Sequence, residues 1–222
     1  MREIIFDTET TGFDPLTGDR VIEIGCVEMI NKSLTGNNYH IYLNPRREVP
    51  ESAVRVHGIT TAMLADKPFF EDVVDDFLAY VGDDSILVAH NAEFDMKFIN
   101  WEIENASRKI ISPKRFKDTL AIARVKFPGA GNSLDALCKR FGIENGHRTL
   151  HGALLDAEIL ADVYIELLGG RQAGLDLSVT RTTTMVKRER VFREARSFAP
   201  SDEELAAHSA FVGKLKDAIW LK

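Results

Sequence analysis

The chain has 222 residues, of which 45% are hydrophobic and 28% are charged. This balance is typical of a globular protein and excludes a disordered or fibrous chain. No apolar run reaches the roughly 20 residues that a bilayer-spanning helix needs, and no charged-then-apolar leader opens the sequence. We therefore expect a cytoplasmic protein with no membrane partner, built from one domain and an appendage.

The net charge of −6 is distributed unevenly. Residues 171–222 carry 10 Lys and Arg against 7 Asp and Glu, which leaves 18 against 27 for residues 1–170. Because duplex binding relies on Lys and Arg that neutralise phosphates, the acidic body is poorly suited to it without bound metal ions. Cys26 and Cys138 lie in apolar stretches without metal-ligand spacing, so we expect both to be buried and reduced.

The first half of the sequence predicts strands followed by a helix and another strand. β-Branched, aromatic and apolar runs indicate the strands, and apolar residues at helical spacing indicate the helix. In chain order these are strands at 2–7, 21–30 and 39–43, a helix at 69–81, and a strand at 85–89. Turn-forming residues at 31–32 and 35–38 are expected to interrupt the chain.

The second half predicts helices around one short strand near Phe116. The predicted helices are 94–103, 118–127, 133–141 and 152–168. The sum is an α/β architecture, a mixed sheet flanked by helices.

Three polar segments stand at predicted strand exits and helix starts. In the first, alternation along an extended chain puts Asp7 and Glu9 on the same side, where a divalent cation would relieve their repulsion. The second, residues 90–95, ends in Asp95, although taken alone its acids and Asn91 would be ordinary helix-capping groups.

The third segment is HGALLDA at residues 151–157. On one helix, His151 and Asp156 would be about 140° apart, so both can face one site only if His151 belongs to the preceding loop. Gly152 allows that bend.

Together the segments offer four carboxylates and one histidine, namely Asp7, Glu9, Asp95, Asp156 and His151. Oxygen ligands of this kind select hard cations such as Mg²⁺ or Mn²⁺. Two such ions about 3.5 to 4 Å apart hydrolyse phosphodiesters, one activating water and the other stabilising the leaving oxygen. His151 would accept the proton of the water.

The three segments, DTETTG at 7–12, HNAEFD at 90–95 and HGALLDA at 151–157, resemble the three motifs of the DEDDh exonucleases. Within that family, residues 1–168 are similar to the proofreading subunits of bacterial replicative DNA polymerases, notably at 34–45, 56–60, 132–138 and 148–161. The resemblance implies a ribonuclease-H-like fold and two Mg²⁺ or Mn²⁺ ions per site. It also implies release of nucleoside 5′-monophosphates from single-stranded or frayed DNA 3′ ends.

The resemblance further implies contacts with the terminal nucleotide from Asp7, Glu9, Thr10, Ser52, His57 and Asp156. Taken alone, His57 is typical of a loop residue that satisfies a turn. Some family members carry Glu five residues before this histidine, whereas this chain has Ser52 with Glu51 adjacent, so either could contact DNA.

After the predicted domain of residues 1–170, the sequence predicts a flexible C-terminal tail. Gln172, Leu175 and Leu177 resemble the peptides that dock on the bacterial sliding clamp through a few apolar anchors, within residues 171–178. Residues 179–199 have no periodicity and indicate a linker.

Residues 200–222 predict a helix that begins with a capping box at Ser201 and Glu204 and runs toward Leu215 and Ile219. Its apolar face, formed by Leu205, Val212, Leu215 and Trp220, needs a partner. Packing onto its own domain is the alternative, which the long polar linker disfavours. The segment resembles the one by which proofreading subunits bind the catalytic alpha subunit of the polymerase.

Two other functions stay open. The same metal site would serve a stand-alone RNA-trimming relative, from which only contacts with the 2′-hydroxyl would distinguish it. The chain could also be a structural adaptor of the polymerase with a vestigial nuclease, although all five catalytic positions are filled.

Overall fold

The computed structural model describes residues 1–145, 150–170 and 199–216. The chain divides into two compact units, Met1–Leu175 and Asp176–Lys222. The predicted clamp-binding residues Gln172, Leu175 and Leu177, the polymerase-binding residue Trp220 and most of the predicted linker lie outside the described residues.

The first unit contains a five-stranded mixed sheet in the order β3-β2-β1-β4-β5. The strands are β1 (Arg2–Thr10), β2 (Val21–Ile30), β3 (Ser33–Tyr42), β4 (Ile86–Ala89) and β5 (Phe116–Asp118). β1, β2 and β3 pair antiparallel, whereas β1, β4 and β5 run parallel. The predicted mixed sheet is therefore confirmed, with β1 at its centre.

Helices flank this sheet. They are α1 (Glu51–His57), α2 (Thr61–Leu64), α3 (Phe70–Val81), α4 (Ala92–Asn105), α5 (Thr119–Lys126), α6 (Leu134–Phe141) and α7 (Ala153–Leu167), and the second unit contains α8 (Asp202–Val212). The predicted helices from α3 onward are confirmed within one to three residues at most ends. None of the helices in the described ranges combines the length and apolar character needed to cross a bilayer.

The prediction for β3 was wrong at its start. Residues 35–38, expected to break the chain, lie inside β3, which begins at Ser33. The register explains how, because Met29 pairs with Leu34 while Val27 pairs with Asn38, so β3 carries extra residues in a bulge. Gly36 has φ +81° there, a conformation that glycine adopts without strain.

α1 and α2 were not predicted. α1 has a short sequence, ESAVRVH, in which His57 is the buried residue and Val56 is exposed, so it shows no apolar stripe. A helix this short is not stable by propensity alone and depends on its tertiary contacts. His57 is therefore the last residue of a helix and not a loop residue, which corrects the interpretation made from the sequence alone.

The two faces of the sheet have separate cores. Ile4 and Phe6 of β1 pack in a cluster with residues of α3 and α4, whereas Ile5 packs with residues of α7. This follows from the alternation of side chains along a strand. Cys26 and Cys138 are both buried, as predicted, and neither is part of a disulfide.

In the second unit, α8 begins with the predicted capping box between Ser201 and Glu204. Leu205 is 48% exposed and Leu215 is 40% exposed, whereas Val212 is buried. α8 ends at Val212, so Leu215 lies beyond the helix, and the predicted continuation to Ile219 lies outside the described residues.

Candidate active site

Asp7 and Glu9 lie near the carboxyl end of the central strand. β1 continues to Thr10, past the predicted end at residue 7, because pairing with β2 extends as far as Val21. Asp7 and Glu9 are two residues apart in one strand, so they share a face, and this is the face on which Ile5 contacts the α7 cluster. Both acids therefore face the side of the sheet covered by α7.

Asp95 reaches the same end of the sheet from the first turn of α4. It is only 3% exposed, and the Thr8 hydroxyl donates to its Oδ1 at 2.8 Å. Burial raises the pKa of Asp95 above the ordinary value, and the Thr8 hydrogen bond opposes that rise only in part. A buried carboxyl of this kind is stabilised in its charged form when a cation binds beside it.

His151 and Asp156 stand at the start of α7 in the arrangement that their spacing predicted. The helix begins at Ala153, so His151 belongs to the loop before it. Its Nδ1 lies 3.1 Å from Oδ2 of the buried Asp156. The backbone N–H of His151 donates to the carbonyl oxygen of Val56 at 3.1 Å, so the C-terminal turn of α1 holds the loop.

Glu9, His151 and Asp156 form a cluster that can hold a metal ion. One ligand atom from each lies within 4.8 Å of the others. Asp7 and Asp95 line the same cavity. Oxygen-rich donor sets of this kind fit hard divalent cations, so the residues present are compatible with Mg²⁺ or Mn²⁺.

The cavity at this end of the sheet has a volume of about 800 Å³. All five predicted catalytic and metal-binding residues line it. Its other lining residues come from the β4–α4 turn, α4, α5 and the 129–135 segment, and include His90, Asn91, Phe94, Leu120, Arg124, Asn132 and Ser133. The four predicted metal-binding acids thus share a cleft with residues that are mostly neutral, among which Arg124 and Asp135 are charged.

Comparison with known proteins identifies the family. The sequence profile described as "Exonuclease" matches residues 4–164, which is more than half of the chain. The chain belongs to the exonuclease family. The membership predicted from the three motifs is confirmed.

Similar full-length relatives are subunits of a bacterial polymerase. "DNA polymerase III subunit epsilon" of Rickettsia felis is 47% identical over 97% of this chain and 97% of its own length. The protein of the same name from Escherichia coli K12 is 46% identical over 94% of this chain and 91% of its own length.

Solved structures agree with this exonuclease fold. Exonuclease X, in complex with 5′ overhanging duplex DNA, has a TM-score of 0.59 and 31% identity, covering 76% of this chain and 90% of its own. The nuclease domain of 3′hExo, a DEDDh family member bound to rAMP, has a TM-score of 0.65 at 18% identity, covering 76% and 92%. The ribonuclease-H-like fold predicted by the resemblance is therefore confirmed.

The predicted nucleotide-contacting residues of this exonuclease are not all brought together. Among the residues that the structure describes, Thr10, Ser52 and His57 do not line the cavity. The Thr10 hydroxyl donates to the Gly12 carbonyl oxygen at 2.6 Å, and Ser52 is exposed on α1. His57 is 6% exposed, and its Nδ1 accepts from the Ile59 N–H at 3.0 Å, so Nε2 carries its proton. Burial lowers the pKa of His57. The contacts of these three residues with DNA remain a prediction.

Sequence reasoning did not assign a role to His90 or Arg124, which line the cavity. His90 Nδ1 lies 2.8 Å from the Thr119 hydroxyl, which itself donates to the Ala89 carbonyl oxygen at 3.2 Å. The Thr119 hydroxyl therefore links the His90 ring to the end of β4. His90 opens the HNAEFD motif, so its position beside Asp95 was a signal, whereas nothing in the sequence around Arg124 marked it.

Proposed function

We propose that this chain is a 3′–5′ exonuclease that proofreads DNA replication as a subunit of the bacterial replicative DNA polymerase, by two-metal hydrolysis of mispaired 3′-terminal nucleotides. The observation that carries the proposal is the convergence of Asp7, Glu9, Asp95 and Asp156 with His151 around one cavity. Relatives named as subunit epsilon of DNA polymerase III match the chain along nearly its whole length, which supports the replicative role.

In this proposal Asp7, Glu9, Asp95 and Asp156 hold two divalent cations, Mg²⁺ or Mn²⁺. When bound, such ions lower the pKa of a water and stabilise the charge on the leaving oxygen of a phosphodiester. The buried Asp95 is oriented by Thr8, and Asp156 is held in the first turn of α7. The four carboxylates therefore enter the reaction already in place, which reduces the reorganisation that catalysis requires.

His151 is the proton acceptor. An ionised carboxylate only accepts hydrogen bonds, so the contact of Nδ1 with Asp156 places a proton on Nδ1 and makes Nε2 the nitrogen that accepts the proton of the water. The side chain of His151 is 46% exposed, so its ring can reach a water at the scissile phosphate. Asp156 thus fixes the tautomer of the base in addition to binding metal.

The other residues that line the cavity suit the 3′-terminal nucleotides. Phe94 and Leu120 offer apolar surface for a base, and Arg124 offers a cation for a phosphate. The acidic body lacks the general positive charge that binds intact duplexes, which favours a frayed or single-stranded end as substrate.

The test is release of mononucleotides from a 3′-mismatched DNA primer, from the matched primer and from the RNA counterpart, with and without Mg²⁺. We expect Mg²⁺-dependent trimming that is fastest on the mismatched DNA, because its terminal nucleotide leaves the duplex at the smallest cost. His151→Ala should lower kcat by about 10² to 10⁴-fold, the range for loss of a general base.

His208→Ala provides the matched control, since it makes the same chemical change on the exposed surface of α8. It should leave trimming of the isolated protein unchanged. Faster trimming of RNA than of DNA would favour the stand-alone RNA exonuclease. Absence of activity on every substrate would leave only the adaptor function.

The proposed partners use the tail. Residues 172–177 would dock on the sliding clamp, and residues 200–222 would bind the polymerase alpha subunit through the apolar positions at Leu205, Val212, Leu215 and Trp220. The exposure of Leu205 and Leu215 supports the second contact. Replacement of both Leu175 and Leu177 by Ala should weaken clamp binding at least tenfold in a surface-binding assay. Unchanged clamp affinity would contradict it.

A further inference from the structure

β2 contains a buried carboxylate, Glu23, that is bonded to the start of α7. Glu23 is 2% exposed and lies directly opposite Glu9 in the register of β1 and β2. Its Oε2 accepts a hydrogen bond from the backbone N–H of Ala153 at 3.1 Å, and its Oε1 lies 2.7 Å from His40 Nε2. A side chain of the sheet therefore holds the first residue of the helix that contains Asp156.

This contact replaces the usual cap of a helix. The first N–H groups of a helix have no acceptor within it, and a side chain at the N-cap position normally supplies one. In α7 the N-cap residue is Gly152, and no side chain at that position forms a capping bond. Glu23 supplies an acceptor from another element, so it couples the position of the helix start to β2.

Gly25, two residues along on the same face of β2, is the second contact with this helix start. A Cβ at Gly25 would lie 2.1 Å from the Leu154 nitrogen and 2.3 Å from the Ala153 carbonyl carbon. Backbone therefore packs directly on backbone there. Glu23 fixes the start of α7 by a hydrogen bond, and Gly25 fixes how closely it approaches the sheet.

The β1 acids lie across from these two contacts. Asp7 is opposite Gly25, and Glu9 is opposite Glu23. The separation between the acids of β1 and the residues at the start of α7 is thus set through one strand pair. His151 is held on its other side by the carbonyl oxygen of Val56.

We propose that Glu23 is a positioning residue of the exonuclease reaction, which sets His151 and Asp156 at their distance from Asp7 and Glu9. It acts through the Ala153 backbone and does not touch substrate. The inference deepens the proposed function and rests on it. What matters in this role is the reach of the side chain and its acceptor atom, and not its charge.

Two conservative variants distinguish the effect of the length of the Glu23 side chain from the effect of its charge. Glu23→Gln keeps the length, because the amide oxygen can accept from Ala153 while the amide NH₂ donates to His40. Glu23→Asp keeps the charge but shortens the side chain by one methylene. The shorter side chain must either lose its contact with Ala153 or His40 or draw the start of α7 toward β2. We expect kcat within about threefold of wild type for Gln and a fall of roughly 10 to 100-fold for Asp, because displacements of about 1 Å cost that much.

Two readouts exclude a general loss of structure. KM for a single-stranded DNA 3′ end should change less than threefold in both variants, because the cavity residues proposed to contact the nucleotides are untouched. Mn²⁺ affinity, titrated by electron paramagnetic resonance without DNA, should fall about tenfold in Glu23→Asp, as expected when a group that orients a ligand is changed. In Glu23→Gln it should match wild type.

Glu28→Asp is the matched control. Glu28 lies on the same strand and is 8% exposed, but it binds Arg2 and Thr35 away from the cavity. It should lower Tm without changing kcat or Mn²⁺ affinity. Wild-type kcat and Mn²⁺ affinity in Glu23→Asp, or equal losses in Glu23→Gln and Glu23→Asp, would overturn the inference. A wild type without nuclease activity would instead defeat the proposed function, while the Mn²⁺ titration would still test Glu23.

Discussion

The two ends of the central strand, β1, place acidic side chains in opposite electrostatic environments. Glu3, Asp7 and Glu9 are even numbers of positions apart along β1, so their side chains lie on the same face of the strand, the one covered by α7. At the amino end, the Lys117 ammonium and the Tyr164 hydroxyl both donate to Glu3 Oε1, at 2.8 and 2.7 Å. At the carboxyl end, Glu9 lies within a few ångströms of another carboxylate, Asp156.

This difference separates an end of β1 that stabilises the fold from the end to which we assign the chemistry. The Glu3 cluster joins β1, β5 and α7 and balances the buried charge within the protein. The acids at the other end bring like charges together, and their mutual repulsion destabilises a fold until a cation binds. α7 spans both ends of β1. Its first residue, Ala153, donates to Glu23, and Tyr164 in its C-terminal half donates to Glu3.

The largest effect is expected at the carboxyl end, from Asp7→Asn. Loss of one of the four carboxylates proposed to bind metal should lower kcat by about 10³-fold or more, on the order of 4 kcal/mol of the barrier. Tm should not fall, because the substitution removes a negative charge from an acidic cluster. Mononucleotide release with Mg²⁺ and thermal unfolding measure the two quantities.

Asp14→Asn is the control for that change. Asp14 pairs with Lys97 at 2.9 Å outside the cavity lining, so the same substitution there should leave kcat unchanged. Retention of full activity in Asp7→Asn would mean that the two ends of β1 do not differ in function.

A smaller effect, on stability alone, is expected at the amino end from Lys117→Met. It leaves the buried Glu3 without its cation, and breaking such a pair costs about 3 kcal/mol or somewhat less here, since Lys117 is a third exposed. Tm should fall by several degrees while kcat stays at the wild-type value. Adding Glu3→Gln should recover part of the loss, because no buried charge remains. A fall in kcat that Glu3→Gln does not reverse would contradict the division between the two ends.

The sequence allowed prediction of the site wherever the signal was local. The spacing of His151 and Asp156 required a helix that starts after His151, and α7 does begin at Ala153. The apolar stripe of α3 likewise predicted both of its ends within one residue, and the capping box of α8 predicted where that helix begins. Periodicity and caps are properties of contiguous residues, so one sequence contains them.

What the sequence could not show depends on contacts between distant residues. α1 lacks a periodic apolar face, and its N-cap residue, Pro50, forms no side-chain capping bond, so the sequence did not indicate this helix. The Val56 carbonyl oxygen of α1 nevertheless holds the loop that contains His151. Glu23 is one of two glutamates in the otherwise apolar β2, and only the approach of α7, 130 residues later, explains its position. The bulge at residues 35–37 forms because β3 pairs with β2 on both sides of it.

The smallest predicted effect sharpens the comparison most, because the sign of the change in stability should depend on whether a metal ion is bound. Burial holds the pKa of Asp95 above its ordinary value of 3.8, so the folded protein retains a proton that the unfolded chain releases. Wild-type stability without metal therefore declines as pH rises from about 4 through the raised pKa. Asp95→Asn has no such proton to lose, and its amide oxygen can still accept from Thr8.

In EDTA, Asp95→Asn should therefore melt at a higher temperature than wild type. The difference should be small at pH 5 and reach about 2 to 4 °C at pH 8, which corresponds to about 1 kcal/mol in a chain of this size. With Mn²⁺ the order should reverse, because the wild type binds the ion more tightly and gains more stability from it than the variant does. An Asp95→Asn protein that melts below wild type in EDTA at pH 8 would show that this acid, like Glu3, is already balanced by the protein and belongs with the stabilising end of the sheet.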